Sequence, residues 1–106
     1  MGEAIRIQRV TKKGSGVVEG LSGSLNREQV VCAVAVQVVT NLRYMHGVDA
    51  HYDDSRSGAN VLTFENNTPL YRIRAARGRT DIVYVEPLTR EARLYLKKMI
   101  IPDEMP

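Results

Sequence analysis

The stretch VVEGLSGSLNREQVVCAVAVQVV, from Val17 to Val39, decides the fold. Its first residues suit a short strand, and a loop rich in glycine and serine follows. Asn26 has the side chain of a helix N-cap, and Gln29 stands three residues later, where a capping box places its reciprocal partner. The valines favour strands by propensity, but strands rarely exceed about 10 residues. The length of the apolar run therefore predicts a helix from Asn26 to about Met45.

This helix is apolar around nearly its whole circumference. Between Cys32 and Val39 the only polar residue is Gln37. A helix of this kind is buried on more than one side. In a small domain, one side can face a sheet and the other can face a second copy of the chain. We therefore predict a homodimer that forms through the apolar helix 27–45.

The remaining segments alternate between strands and turns. Asn66–Pro69 has the composition of a turn, and Thr89 can cap a second helix from Arg90 to about Ile100. The predicted strands cover residues 4–10, 17–20, 48–53, 60–65, 70–76 and 81–86. The order β-β-α-β-β-β-β-α predicts a single α+β domain over residues 1–106. We expect two layers, with a mostly antiparallel sheet, one long apolar helix and a C-terminal helix.

Composition narrows the possible settings of the protein. At 106 residues, with 43% apolar and 25% charged residues, the chain has the size and composition of one ordinary globular domain. Cys32 is the only cysteine, so no intrachain disulfide can form, and a reducing, cytoplasmic setting is expected. Residues 1–10 have no apolar run of the signal-peptide type. The longest apolar run, Val30 to Val36, is far shorter than the ~20 residues of a membrane span, so we expect no membrane partner.

The histidines and aspartates offer little for metal or cofactor chemistry. His51, Asp53 and Asp54 resemble a metal-binding set only loosely, because neither a nearby cysteine nor a third histidine accompanies them. We therefore predict no metal and no cofactor.

Basic residues concentrate in the second half of the chain. Residues 72–98 contain eight basic and three acidic side chains, a local net charge of +5, whereas the whole chain carries +3. The candidate nucleic-acid-binding residues lie in the predicted hairpin 70–86: Arg72, Arg74, Arg77 and Arg79. A two-stranded β-ribbon can enter a major groove or follow phosphates, and Tyr71 and Tyr84 could stack on bases. The alternative is a solvated sheet face that keeps an edge from aggregating.

Two segments of the chain carry a resemblance to a known family. Glu19-Gly20-Leu21-Ser22 ends a strand, and Gln29-Val30-Val31-Cys32-Ala33-Val34-Ala35-Val36 opens a helix roughly a dozen residues later. In this order and spacing the chain resembles the ribosomal-processing cysteine protease family, called Prp. That family has a Glu-Gly-His-Ala segment and then an Asp-Ile-Val-Cys-Ala-Ala-Val-Ser segment. The resemblance covers about residues 4–66. It implies that Cys32 is the catalytic cysteine position, and it implies a dimer and a bacterial or bacteriophage setting.

The chain departs from the family at the residues that accompany the cysteine. Leu21 stands where the family has its catalytic histidine, Gln29 where it has an aspartate, and Val36 where it has a serine. Leucine cannot accept a proton, and general base catalysis is worth about 10²- to 10⁴-fold in rate. Kinship with Prp would therefore make this chain a divergent, inactive member.

Neither histidine stands at a place in the sequence from which it could readily take over the role of the missing general base. His46 lies 14 residues after Cys32, a separation of roughly 21 Å along a helix. His51 follows the helix and could approach Cys32 only if its strand folds back. The structural alternative is that Cys32 is simply a small buried residue, which is a common role for cysteine.

Three hypotheses of different classes follow. The first is a Prp-like fold without a working dyad, which acts as a dimeric interaction or assembly module. The second is an active cysteine endopeptidase that uses Cys32 and an unrecognised base. The family resemblance would then imply that it trims an N-terminal extension from a ribosomal or phage structural protein. The third is a nucleic-acid-binding module that uses the hairpin 70–86.

Overall fold

The computed structural model describes Ile7 and residues 9–19, 26–53, 60–78 and 81–99. Within these ranges the elements follow the predicted order and form an α+β fold. Their bounds are β1 Arg9–Val10, β2 Gly16–Val18, α1 Arg27–His46, β3 Ala50–Asp53, β4 Asn60–Glu65, β5 Thr68–Ala75, β6 Val83–Pro87 and α2 Arg90–Met99. Of the predicted first strand, only its last two residues are described as a strand, and most of the remainder lies outside the described ranges.

All six described strands form one antiparallel sheet in the order β1-β2-β6-β5-β4-β3. Neighbours in this order are also neighbours in sequence except for β2 and β6. That pair brings the first hairpin of the chain against the last strand, with Val17 opposite Tyr84. The consequence is that β5 and β6 occupy the centre of the sheet. The hairpin 70–86 is therefore not the free two-stranded ribbon that the sequence suggested.

Both helices pack on one face of this sheet. Helix α1 lies on β3, β4 and β5, and α2 lies on β5 and β6 beside α1. The strands alternate accordingly, and in β5 the side chains of Tyr71, Ile73 and Ala75 are buried while Arg72 and Arg74 are exposed. This alternation confirms the two-layer prediction. We call the other side the open face; it carries Val17, His51, Leu62, Phe64, Arg72, Arg74, Tyr84 and Glu86.

A buried hydrogen bond ties the sheet to α2. The side chain of Tyr71 is fully buried, and its hydroxyl donates to the carbonyl of Ala92. Burial raises the pKa of Tyr71, and the neighbouring Tyr95 raises it further. The hydroxyl therefore keeps its proton and remains a donor at physiological pH.

Both ends of α1 are capped, and the N-terminal cap is the one that the sequence predicts. The Asn26 side chain accepts from the Gln29 amide at 2.9 Å, and the Gln29 side chain accepts from the Asn26 amide at 3.0 Å. At the other end Gly47 has φ 67°, a left-handed conformation that glycine adopts without steric cost. The Thr89 hydroxyl accepts from the Ala92 amide at 3.0 Å and caps α2.

Most of the apolar surface of α1 is covered by the chain itself. The buried side chains of the helix are Val30, Val31, Val34, Ala35, Val38, Val39 and Leu42. Val36 is the exception in the valine run, with 43% of its surface exposed. The sheet and α2 thus cover most of the valine run, which by itself does not require a second copy, whereas Tyr44 and Met45 near the end of the helix are exposed. The homodimer stays a prediction, and it rests on the resemblance to the Prp family.

The strand bounds correct one predicted turn and the limits of one predicted strand. The connection between β4 and β5 contains only Asn66 and Asn67, and Thr68 and Pro69 belong to β5. Asn66 has φ 56°, which asparagine tolerates better than most residues. Pro69 is accepted because it stands near the end of β5, beyond the residues paired with β6. The strand predicted at 81–86 begins at Val83 and ends at Pro87.

Among the described residues, neither helix combines the length and apolar character that a membrane crossing would need.

Replacement of Asn26 by alanine tests the capping box. We expect Asn26→Ala to lower the free energy of unfolding by about 1 kcal/mol, because the Gln29 amide loses its acceptor. Urea unfolding followed by circular dichroism measures this difference. Asn26→Asp is the matched control and should stay close to the wild type, since aspartate also caps helices. Equal stability of Asn26→Ala and the wild type would contradict the role of the box.

Candidate functional site

Cys32 lies in the second turn of α1. It is the sixth residue of the helix, partly exposed, and it packs against the main hydrophobic core. The field of a helix N-terminus acts mainly within the first turn, so Cys32 lies beyond its strongest effect. The position is one in which a small, weakly polar side chain completes the packing of the helix on the sheet.

The residues that would accompany Cys32 in a protease are absent or otherwise engaged. Gln29, at the position of the family's aspartate, is held by the capping box with Asn26. Val36, at the position of the serine, projects an apolar side chain to solvent. Leu21, at the position of the histidine, lies outside the described residues. Within the described part of α1, Cys32 therefore has no polar partner that would support general base catalysis.

Both histidines are occupied by aromatic neighbours. The His46 ring lies 5.5 Å from the Tyr95 ring, between centroids, near the C-terminal end of α1. The His51 ring stacks on Phe64 of the adjacent strand, also with 5.5 Å between centroids. Neither imidazole forms a hydrogen bond to Cys32 within the described ranges, so these ranges contain no Cys–His dyad.

Burial lowers the pKa of His46, and the positive charge of Lys98 lowers it further. The ring is therefore mostly neutral at neutral pH. Because it lies at the end of α1 remote from Cys32, this neutral imidazole does not act on the thiol. Among the described residues, no group of three or more histidine, cysteine, aspartate or glutamate side chains is placed to hold a metal ion.

The predicted nucleic-acid-binding arginines that the structure describes lie in different environments. Arg72 pairs with Glu86 across β5 and β6, with Nη1 and Oε1 3.5 Å apart. Arg74 places its guanidinium carbon 4.9 Å from the centroid of the Tyr84 ring. Arg77 follows β5 and is exposed. Arg79 lies outside the described residues. The structure thus brings Arg74 and Arg77 together and assigns Arg72 to an ion pair.

A concavity of about 690 Å³ lies at the end of the open face where Arg74 and Arg77 meet the β1–β2 turn. We call it the basic groove; its described lining residues are Thr11, Lys12, Lys13, Ser15, Arg74, Ala76, Arg77, Ile82 and Tyr84. This lining contains four cationic side chains and no carboxylate. Its electrostatic character favours an anionic ligand.

By sequence Lys12 and Lys13 add only a weak charge to the basic hairpin, but the structure places both in the lining of the groove. They stand more than 60 residues before Arg74 and Arg77, and only the β2–β6 pairing brings the two segments together. The signal available in the sequence was the pair of lysines in a glycine-containing turn beside a strand. Its significance depends on the strand order, which local periodicity does not specify.

A smaller concavity of about 260 Å³ lies between α1 and the edge strand β3. Its lining residues are Val36, Val39, Thr40, Arg43, His51 and Tyr52. The Arg43 Nε donates to the carbonyl of Ala50 at 2.7 Å and fixes the helix against the strand. This side of the domain combines an apolar helix residue with a strand edge that has no strand partner among the described residues.

Comparison of the chain with known protein families, with curated proteins and with solved structures finds no match.

The reactivity of Cys32 tests whether either histidine acts on it. Because neither ring contacts Cys32, we expect His46→Gln and His51→Gln to leave its alkylation by iodoacetamide unchanged within about twofold at each pH from 5 to 9. Mass spectrometry of the folded protein measures the rate. Alkylation should accelerate on addition of urea, since Cys32 is partly buried. A severalfold loss of rate in either variant would reveal a dyad and contradict this interpretation.

The protonation of His46, at the C-terminal end of α1, gives a second test. Its depressed pKa means that the unfolded chain binds the proton more tightly than the folded chain. The stabilisation by neutral His46 is therefore complete above the ordinary pKa of about 6.5 and is lost as pH falls through the lower folded value. We expect Lys98→Gln to raise the folded pKa towards 6.5, measured by NMR titration of the ring. A folded pKa above 6.5 in the wild type would contradict the burial of this ring.

Proposed function

We propose that the chain is a catalytically inactive, Prp-like protein that acts as a dimeric interaction module. The observation that carries the proposal is the setting of Cys32. It packs against the core in the second turn of α1, and Gln29 beside it serves the helix cap. A cysteine in this setting supports folding, and within the described ranges no histidine is hydrogen-bonded to it as the proton acceptor that peptide hydrolysis needs.

The order of the elements supports the proposed kinship with the Prp family. Two short strands precede the apolar helix, as the resemblance implies, and Cys32 is followed on that helix by the residues quoted for it. The departures at Leu21, Gln29 and Val36 support the loss of activity. An ancestral protease that lost its base while it kept its apolar helix and sheet would retain the capacity to bind other chains.

The α1–β3 side of the domain is the surface that we propose for the dimer. Val36 and Thr40 are exposed on successive turns of α1, and Tyr52 is partly exposed beside them on β3. Two copies related by a two-fold axis can place these side chains against one another, because such an interface uses the same patch on both subunits. The apolar surface of Val36 would then be covered at the centre of the contact.

Mass measurement of two matched variants tests the dimer. We expect the wild type to have the mass of two 11.9-kDa chains in light scattering. Val36→Asp should reduce it to one chain, because a carboxylate would be buried without a partner. Leu94→Asp is the control, since Leu94 is an exposed apolar residue on α2 with 52% of its surface exposed. Circular dichroism checks that both variants fold.

A monomeric wild type would contradict the proposed dimer, as would a dimer that Val36→Asp leaves intact. The inactivity is tested separately with Cys32→Ala, which should keep both the mass and the fold of the wild type. Cleavage of a protein substrate by the wild type and not by Cys32→Ala would establish the endopeptidase in place of the inactive module.

A further inference from the structure

We propose that the basic groove binds single-stranded nucleic acid, with phosphates on Lys12, Lys13 and Arg77 and a base on the Arg74–Tyr84 pair. This binding site lies on the open face, whereas Cys32 belongs to the helix layer on the opposite face of the sheet. It is therefore independent of the family resemblance and of the dimer surface between α1 and β3.

The two lysines are held in position by a closed turn. The Thr11 amide donates to the Ser15 carbonyl at 2.8 Å, and the Gly14 amide donates to the Thr11 carbonyl at 2.9 Å. The Ser15 amide also donates to the Thr11 hydroxyl at 3.1 Å. Gly14 has φ 94°, which favours glycine at this position. Since the backbone of the turn is fixed, little conformational freedom is lost there when an anion binds.

Arg77 approaches the same groove from the other side. The Ala76 amide donates to the Ile82 carbonyl at 2.9 Å and closes the end of the β5–β6 hairpin. Arg27 of α1 donates through Nη1 to the Ala76 carbonyl at 3.1 Å. The backbone that carries Arg77 is thus anchored to both the sheet and the helix layer. The three cations come from two separate segments that converge on one concavity.

The described lining of the groove contains basic residues and no acidic residue. An ion pair on the open face joins Arg72 to Glu86, and neither residue belongs to the described lining of the groove. The described lining residues supply four positive charges and no negative one. Concentrated positive charge in a concave surface attracts a polyanion and holds its phosphates in one register.

The Arg74–Tyr84 pair provides a flat platform within this charged surface. The guanidinium lies over the phenol ring at 4.9 Å, a geometry that keeps both planar groups ordered. Beneath them, Val17, Ala76 and Ile82 form a small apolar cluster against which Tyr84 packs. Any of the four bases can stack on such a pair, because every base has a π-face. The groove therefore matches a nucleic acid better than it matches a simple phosphate polymer.

The strand order favours a single strand over a duplex. Direct reading of a duplex needs a helix or a free two-stranded ribbon that enters the major groove. Here β5 and β6 are flanked by β4 and β2, so the arginines are presented from the face of a sheet. A base must leave the helical stack to reach Tyr84 on that face, and it does so without cost only in a single strand.

Fluorescence anisotropy with labelled oligothymidylate and oligouridylate tests the proposal on the whole chain. If three cations contact phosphates, the logarithm of the affinity should fall with the logarithm of salt with a slope of about −2. The affinity should then drop about 20-fold between about 50 and 200 mM salt. A duplex of the same length should bind several times more weakly than the single strand.

Matched variants separate the groove from the overall charge. Lys12→Gln with Lys13→Gln should reduce the salt slope by about 1.4, whereas Lys97→Gln with Lys98→Gln on α2 should not change it. Tyr84→Leu should weaken binding of the single strand about fivefold or more at an unchanged slope, and Tyr84→Phe should bind as the wild type does. Inorganic polyphosphate, which has no bases, should bind Tyr84→Leu and the wild type equally.

Any of four results would overturn the proposal: absence of binding, an equal loss in both lysine double variants, a preference for the duplex, or insensitivity of single-strand binding to Tyr84→Leu. The last result, combined with tight polyphosphate binding, would assign the groove to phosphate polymers in place of nucleic acid.

Discussion

The packing of α1 and α2 against a single face of the antiparallel sheet is the constraint on which the rest of the structure depends. Apolar side chains of the helix fill the space above Val61, Ile73 and Val85, and these residues belong to one continuous core. The hydroxyl of Tyr71 completes the contact by donating to α2. Because the helices occupy only one face, every second side chain of the central strands is left on the other. The charged and aromatic residues of the open face follow directly from this arrangement.

The two faces of the sheet therefore differ in chemical character. The helix layer holds Cys32 in a packing position, with its neighbour Gln29 engaged in the helix cap. The open face holds a concavity in which cations from the β1–β2 turn meet Arg74 and Tyr84. A lone cysteine draws attention in a sequence because of its possible chemistry. In this fold Cys32 is partly exposed and packs against the core, while the cationic side chains of the basic groove lie on the other face of the sheet.

Local sequence signals predicted the elements well, but they named only some of the residues that line the basic groove. Asn26 and Gln29 marked the start of α1, and alternation in β5 separated Tyr71 from Arg72, because caps and period-2 patterns depend on neighbouring residues. The groove depends on the pairing of β2 with β6, a contact between residues distant in sequence that no local pattern encodes. The same long-range pairing changed the expected free ribbon into central strands. The apolar α1 suggested a partner chain, because the sequence of the helix does not show how much of its surface a six-stranded sheet buries.

The most direct test of this division of roles is an NMR titration of ¹⁵N-labelled protein with a single-stranded oligonucleotide. We expect the backbone amides of residues 11–15, 74–77 and 82–84 to shift, while those of α1 around Cys32 stay unchanged. Shifts concentrated around Cys32, with the amides of the basic groove unaffected, would contradict this expectation and would return the functional site to the helix layer.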